Sequence, residues 1–428
     1  MIVRDPVHGL IYFDRAEDAL LIELLDSMEL QRLRRIRQLG VTFLAFPGAE
    51  HSRFTHAVGA LHVMRRLCAR IDALGSDVPS ELRLDRARRI HALAAALLHD
   101  LGHGPFSHLY EDVFPGGRMH ESWTIEALRS PGTQVNRVLC RFDATLPERI
   151  AAMVQGSYEP SYLRAAVSGP LDVDRFDYLL RDSHMTGARY GLYDLDWLLH
   201  SLCFAGSTLA VDGRKGIAAV EQYFLARRAM FEQVYFHKTT RAAEWVIRSI
   251  FRRVASLVAD GRDPAGLPGA IRAAARADTV SLEDYLALDD ARIWTCFTEW
   301  AAGSTDAILR DLCDRLLRRA LFKTVELDDP SNESVARAAA IARDRVRAAG
   351  LDPDLYCGID RAVDVSYLDP SEPLEEVWVW MRDSAPRKLG DVSEIIGRLR
   401  GRERQRVRLV VAAEVRDRVR KDLEAAAC

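Results

Sequence analysis

The sequence lacks several things at once, and each absence narrows its reading. No apolar run approaches the roughly 20 residues needed to span a bilayer, so a membrane is not an expected partner. The opening Met1-Ile2-Val3-Arg4-Asp5-Pro6 has no basic-then-apolar profile of an export signal. Seven cysteines are scattered through 428 residues without a CxxC pair. An odd, dispersed set excludes a disulfide frame or zinc knuckle and implies reduced thiols in the cytoplasm. Lysine is scarce, the basic side chains being almost all arginine, and the formal net charge is only −3. That balance gives no reason to expect nucleic acid as a partner. Guanidinium groups nevertheless suit phosphate wherever one faces a pocket.

What the sequence has instead is helical periodicity. Apolar residues recur at helical spacing over Met28–Leu39, Ala57–Leu74, Arg86–Leu98, Pro147–Val154, Tyr162–Val167 and Ala218–Val258, the last long enough for two helices. Gly40–Ser52 reads as a loop delivering His51, Arg53 and His56 to the next helix. A short hairpin is expected from Leu209–Val211, with Lys215–Ile217 as its return strand. Beyond about Lys323 the texture changes: Glu376–Trp380 and Arg406–Ala412 read as strands and Glu414–Ala427 as a closing helix. The expected architecture is mainly α, a helical core over residues 1–325 with a smaller α+β lobe over 326–428.

The densest chemistry is the run His99-Asp100-Leu101-Gly102-His103-Gly104-Pro105-Phe106-Ser107-His108. Adjacent His and Asp direct a nitrogen and an oxygen ligand at one point, a donor pair that suits a divalent transition metal. The Gly-His-Gly-Pro spacing breaks the preceding helix and lets the backbone wrap a site. His56, and one of Asp172, Asp174 and Asp177, are the candidate partners from distant segments. Two imidazoles and two carboxylates leave positions for water and a phosphate oxygen, so a metal-assisted hydrolase is expected.

In their order, His56, His99-Asp100 and Asp174 resemble the HD-domain phosphohydrolase superfamily. Asp5-Pro6-Val7-His8-Gly9, Gln31–Arg34, Gln38-Leu39-Gly40, Phe46–Ala49, His51–His56, Asp172–Asp182, Tyr235–Lys238 and Arg319–Lys323 narrow this further. They are similar to the deoxynucleoside triphosphate triphosphohydrolases of the sterile-alpha-motif and HD-domain type, here as the catalytic HD unit alone. The resemblance implies an HD helical fold and hydrolysis of dNTPs to deoxynucleoside and inorganic triphosphate. It implies one divalent metal (iron, manganese or zinc) on His56, His99, Asp100 and Asp174, with magnesium accompanying the substrate phosphates. Arg53 would hold a phosphate, and His103 and His108 would face the α-phosphate. His108 would act as the acid with Glu111 orienting it, and His120 would orient or relay protons beside them.

The resemblance also implies that Arg175, Tyr178 and Asp182 grip phosphates and the sugar edge. Gln38 and Leu39 would line the deoxyribose, Tyr235 would crowd its 2′ carbon, and Arg227 would contact a phosphate. Glu111 stands where the family has Asp, Arg175 where it has Lys, and Phe231 where it has His. Asp26, Gln31 and Arg34, with Lys215, Arg319 and Lys323, match an activator site for GTP or a dNTP at a subunit interface. A homo-oligomer, a tetramer by preference, is therefore expected, although Arg4, Gly213 and Trp197 depart from that pattern. The alternative is a related HD phosphohydrolase acting on nucleoside monophosphates, modified nucleotides or single-stranded nucleic acid ends. A nucleotide-binding protein without turnover is disfavoured by the joint presence of ligands, histidine acids and phosphate arginines. The absence of a Gly-Tyr-Pro motif disfavours a cyclic-dinucleotide phosphodiesterase.

Overall fold

The helix Arg86–Leu98 begins where the Asp85 side chain accepts from the Arg88 backbone N–H, and it buries Ala92 through Leu98 without a break. It packs against the long helix Arg53–Ala73, which in turn packs against Val173–Thr186. That third helix is capped at both ends: the Asp172 carboxylate accepts from the Arg175 N–H, and Gly187 closes it at φ +74°. The computed structural model describes residues 1–114, 117–365, 377–381, 385–399 and 403–426. Within those residues the protein is mainly helical, with small sheets and an α+β region toward its C-terminal end. Among the described residues no helix is long and apolar enough to cross a membrane.

Several expected elements take a different form. The helix from Met28 ends at Arg32 and passes through a 3-10 turn, Leu33–Arg35, into an extended Ile36. The backbone beyond is claimed elsewhere: Arg37 bridges Ser52, and the Gln38 N–H donates to the His51 carbonyl at 2.9 Å. The stretch Ala218–Val258 is indeed two helices, Ile217–Met230 and Lys238–Ala259, joined by a π-turn over Phe231–Tyr235. The hairpin lies upstream of its expected place, Leu202–Ala205 pairing with Thr208–Asp212. Lys215–Ile217 is not its return strand, because the Asp212 carbonyl accepts from the Lys215 and Gly216 N–H groups and turns the chain into the next helix.

Three sheets are present among the described residues. The N-terminal hairpin pairs Ile2–Asp5 with Gly9–Tyr12. Trp378–Trp380 runs parallel to Thr208–Asp212 in a four-stranded sheet, while Glu376 lies outside the described residues. Glu403–Val411 is the centre of a three-stranded antiparallel sheet between Lys323–Glu326 and Cys357–Val365. The closing helix covers Arg416–Ala426.

Two apolar cores result. One gathers Leu61, Met64, Leu97, Leu98, Leu101, Phe176 and Leu179, and Val377, Val379, Leu389 and Ile396 join it from the far end of the chain. The other gathers Ile247, Phe251, Phe297, Leu312 and Leu409–Val411, together with Phe106, Leu109 and Tyr110. The run His99–His108 therefore crosses from one core to the other. Phe106 is held on the second core by a stacked contact with Phe297, centroids 6.0 Å apart. Phe297→Ala should cost about 3–5 kcal/mol, the usual range for emptying a buried aromatic site. Calorimetric unfolding checks this, and a loss below about 1 kcal/mol would show that the second core tolerates the cavity.

Candidate metal centre and phosphohydrolase site

Three segments deliver the site. His56 sits in the first turn of the Arg53 helix, His99 caps the Arg86 helix, Asp100 follows it, and Asp174 lies in the first turn of the Val173 helix. His56 Nε2 is 2.9 Å from Asp174 Oδ1, 3.4 Å from His99 Nε2 and 3.8 Å from Asp100 Oδ2. His99 Nε2 is 3.4 Å from Asp100 Oδ1 and 3.5 Å from Asp174 Oδ1. His56, His99 and Asp174 thus bring one ligand atom each to a single point, as around one divalent ion. Asp100 approaches them through different oxygens and groups more tightly with His103 and His120.

The ring nitrogens are sorted correctly for that task. His99 Nδ1–H donates to the Ala96 carbonyl at 3.0 Å, and His56 Nδ1–H donates to Asp177 at 2.8 Å. Each Nε2 thus faces the cluster. Electrostatics point the same way. Burial pulls the His56 imidazolium down, but hydrogen bonds and charge from Asp174 and Asp177 outweigh it and carry its pKa up to about 10. Burial pushes Asp174 up, yet His56 and His99 hold it well below the usual carboxylate range. A place that draws positive charge this strongly, with two nitrogen donors and a carboxylate oxygen and with Asp100 beside them, fits a divalent transition metal.

Around this centre, Arg53 donates to Asp100 through Nη1 and to Ser107 Oγ through Nε at 3.0 Å. Burial raises Asp100, but Arg53 and the neighbouring His99 and His103 depress it further. His103 Nε2 lies 3.2 Å from Asp100 Oδ1, and its ring stacks on His120 at 3.7 Å. Asp100, His103 and His120 form a second group whose ligand atoms lie within 4.8 Å of one another. Burial and Arg53 push His103 well below its ordinary value. Glu111 accepts from His120 Nδ1 at 2.9 Å; the His108 side chain lies outside the described ones. Gly102 is required here: a Cβ would come within 2.2 Å of the His120 carbonyl and 2.3 Å of the Thr124 nitrogen.

Successive contacts link several of the expected substrate residues to the centre. The Tyr178 ring is 6.4 Å from His56 and 6.3 Å from Tyr235. The Tyr235 hydroxyl donates to Asp182 Oδ2 at 2.8 Å, while His51 Nε2 lies 2.7 Å from Asp182 Oδ1. Gln38 follows through its backbone bond to His51, and its buried Oε1 has no hydrogen-bond partner among the described residues. Leu39 is partly buried against the first core. Arg175 turns back onto Asp172 at 3.2 Å and onto the Gly169 carbonyl. The Arg227 guanidinium lies 5.5 Å over Phe231.

The activator candidates fall on three segments. Gln31 accepts from Arg34 Nε at 2.8 Å, and Arg34 lies 3.6 Å over the Phe54 ring, with exposed Asp26 at the end of the preceding helix. Lys215 Nζ is 3.4 Å from His200 Nε2, and Arg319 donates to the Leu44 carbonyl at 2.8 Å. Lys323 is exposed on its strand.

Sequence reasoning did not assign Arg181, His51, Ser107 or Asp290. The first had a signal: Asp174, Asp177, Tyr178, Arg181 and Asp182 recur at core spacing on one helix, a polar stripe that has to be buried. Asp290 had none, since it comes from the second core. Its Oδ1 accepts from Phe106 N–H and its Oδ2 from Arg37 N–H, both at 2.9 Å. It thereby ties together two site loops, one of which carries the left-handed pair Phe106 and Ser107, each at φ +58°.

Comparison with known proteins identifies the family. The HD domain model matches residues 53–154, and the HD associated region model matches residues 193–427, more than half of the chain. The chain belongs to the HD-domain phosphohydrolase family. It is 35% identical over 407 residues to the uncharacterized protein YwfO of Bacillus subtilis (strain 168), covering 94% of this chain and 90% of that one. It is 28% identical over 371 residues to deoxynucleoside triphosphate triphosphohydrolase SAMHD1 of Homo sapiens, covering 78% of this chain but only 56% of the human protein. A crystal structure of a phosphohydrolase from Bacteroides thetaiotaomicron VPI-5482 superimposes with a TM-score of 0.82 at 27% identity, over 96% of this chain and 99% of that one.

Asp290 provides a pH-dependent check on how the site is framed. Burial pushes its carboxyl up to about 6, against the pull of the Arg37 and Phe106 N–H groups. Its folded pKa lies above the unfolded one near 3.9, so between these values the folded state binds the proton more readily. Stability contributed by this group therefore falls as pH rises from about 4 to about 6. Asp290→Asn should remove that slope while losing one of the two backbone acceptors, at a cost of about 1–3 kcal/mol. Thermal unfolding of both proteins across this range is the measurement, and parallel pH profiles would contradict the assignment.

Proposed function

We propose that this protein hydrolyses deoxynucleoside triphosphates to deoxynucleoside and inorganic triphosphate. The observation that carries the reading is the convergence of the His56, His99, Asp100 and Asp174 donors beside Arg53 and the stacked His103–His120 pair. Tyr178, Tyr235, Asp182 and Gln38, connected by contacts through His51, adjoin that cluster. The similarity to SAMHD1, named for this reaction, supports the substrate class. A bound divalent metal supplies a lowered water pKa and neutralises phosphate charge. Two imidazoles and two carboxylates suit iron, manganese or zinc, with magnesium accompanying the substrate phosphates.

The chain's own residues do the remainder. Arg53 is positioned to hold an α-phosphate oxygen, its orientation fixed by Ser107. His103 faces the same phosphate, and the His120–Glu111 pair next to it moves or holds a proton. His108 is the proposed acid that protonates the departing 5′ oxygen. Arg227 takes an outer phosphate, and Arg175 joins it by leaving Asp172 and the Gly169 carbonyl. The buried Gln38 Oε1 and the Asp182 carboxylate meet the sugar's 3′ edge, and Leu39 and the Tyr235 ring press on its 2′ carbon. A 2′-hydroxyl against that apolar surface loses about 1–3 kcal/mol, roughly 10- to 100-fold in turnover.

Incubation with dATP and ATP in the presence of manganese, iron or zinc tests this directly. Deoxyadenosine and triphosphate are the expected products, with dATP preferred and the preference reduced about 10-fold or more in Tyr235→Ala. Deoxyadenosine monophosphate plus pyrophosphate would contradict the reaction and favour a related phosphohydrolase chemistry.

Asp26, Gln31 and Arg34, joined by Lys215, Arg319 and Lys323 of other copies, are proposed as a GTP or dNTP activator site in a tetramer. Such regulation requires different affinities in the low- and high-activity states. Solution mass and dNTP hydrolysis with and without GTP check it; a monomer with unchanged saturation kinetics contradicts it.

A further inference from the structure

His56 is gripped from the side opposite the donor cluster. Asp177 is fully buried, and both its oxygens are used twice. Oδ2 accepts from His56 Nδ1 and from Arg181 Nε, each at 2.8 Å. Oδ1 accepts from Arg181 Nη2 at 2.8 Å and from His8 Nε2 at 2.7 Å. Arg181 is also fully buried, and its Nη1 donates to Asp5 Oδ2 at 2.8 Å. The other Asp5 oxygen accepts the Val7 and His8 backbone N–H groups at 2.8 and 2.9 Å. An unbroken set of charge-assisted bonds thus runs from the N-terminal hairpin to the far nitrogen of the imidazole.

A buried ion pair can serve as a simple staple between segments, which would leave metal binding untouched. Gly59 argues for more. It lies one turn after His56 on the same helix, where glycine costs roughly 1 kcal/mol relative to alanine. A Cβ there would come within 1.9 Å of Asp177 Oδ1 and 2.3 Å of Arg181 Nη2. The helix gives up a side chain at the one point where the carboxylate has to reach His56.

We propose that Asp177 is the positioning residue for His56, fixing its ring and its Nδ1–H tautomer, and that the Asp5–His8 segment supports it through Arg181. This rests on the reading of His56 as a ligand made above. A carboxylate on the remote nitrogen raises the basicity of the ligating one and sets the ring plane, and removing such partners typically weakens metal binding 10- to 100-fold.

The test uses the full chain, stripped of metal and titrated with Zn²⁺ against a chromophoric chelator. Co²⁺ absorption serves as a second readout, and unfolding of the metal-free protein as a third. Asp177→Asn and Gly59→Ala should each weaken Zn²⁺ binding about 10- to 100-fold and alter the Co²⁺ spectrum. His8→Ala, which keeps the Asp177–Arg181 pair, should weaken binding up to roughly 10-fold. It carries the comparison should either of the others fail to fold. His56→Ala is the control and should abolish tight binding. Unchanged affinity and Co²⁺ spectra in the folded variants, with His56→Ala still deficient, would overturn the positioning role and leave a structural staple. Full Zn²⁺ affinity in His56→Ala would instead overturn the ligand reading, and the inference with it.

Discussion

Three carboxylates, those of Asp100, Asp174 and Asp177, surround one fully buried imidazole, and the rest of the site makes that concentration of negative charge tolerable. Like charges this close, and out of water, repel strongly and have to be answered in place. Arg53 answers Asp100, and Arg181 answers Asp177 with two parallel bonds. Asp174 has no guanidinium partner among the described residues; it faces only His56 Nε2 and His99 Nε2. It is also the most exposed of the three side chains, at 31%. The electrostatic demand for a cation is therefore concentrated on one side of the cluster, the side partly open to solvent.

That arrangement depends on two cores being held in register. The first positions the three helices that carry His56, His99 and Asp174. The second seats Phe106 and, through Asp290, clamps the loop that orients Arg53 together with the segment leading to Gln38. The donor residues thus rest on one core, while the loop that orients Arg53 is seated on the other. Function and stability are coupled at that seam, where two successive residues hold left-handed backbone.

Much of this was legible in the sequence. The run His99–His108 announced a site because adjacent imidazole and carboxylate next to a broken helix have little other use. The Arg86–Leu98 helix was readable to the residue because Asp85 caps it and the apolar stretch stops at His99. The segment after Arg35 was not, because its apolar spacing suits a helix while its backbone hydrogen bonds are taken by Ser52, His51 and Asp290, which are remote in sequence. The hairpin was displaced for a related reason, the capping of a turn by the Asp212 carbonyl. Asp177, Arg181 and Asp5 illustrate the wider limit. The spacing of Asp177 and Arg181 marks a face, but which partners meet it, Asp5 among them, is set by contacts remote in sequence.

The account's central claim is that His56, His99, Asp100 and Asp174 converge on one divalent ion. A crystal structure of the protein grown with Mn²⁺, with anomalous data collected to locate the ion, tests it most directly. The account predicts one strong peak with His56 Nε2, His99 Nε2 and an oxygen from each of Asp100 and Asp174 at roughly 2.0–2.2 Å, the range for such ligands. A fully occupied ion bound elsewhere, with His56 and Asp174 still hydrogen-bonded to each other, would contradict it.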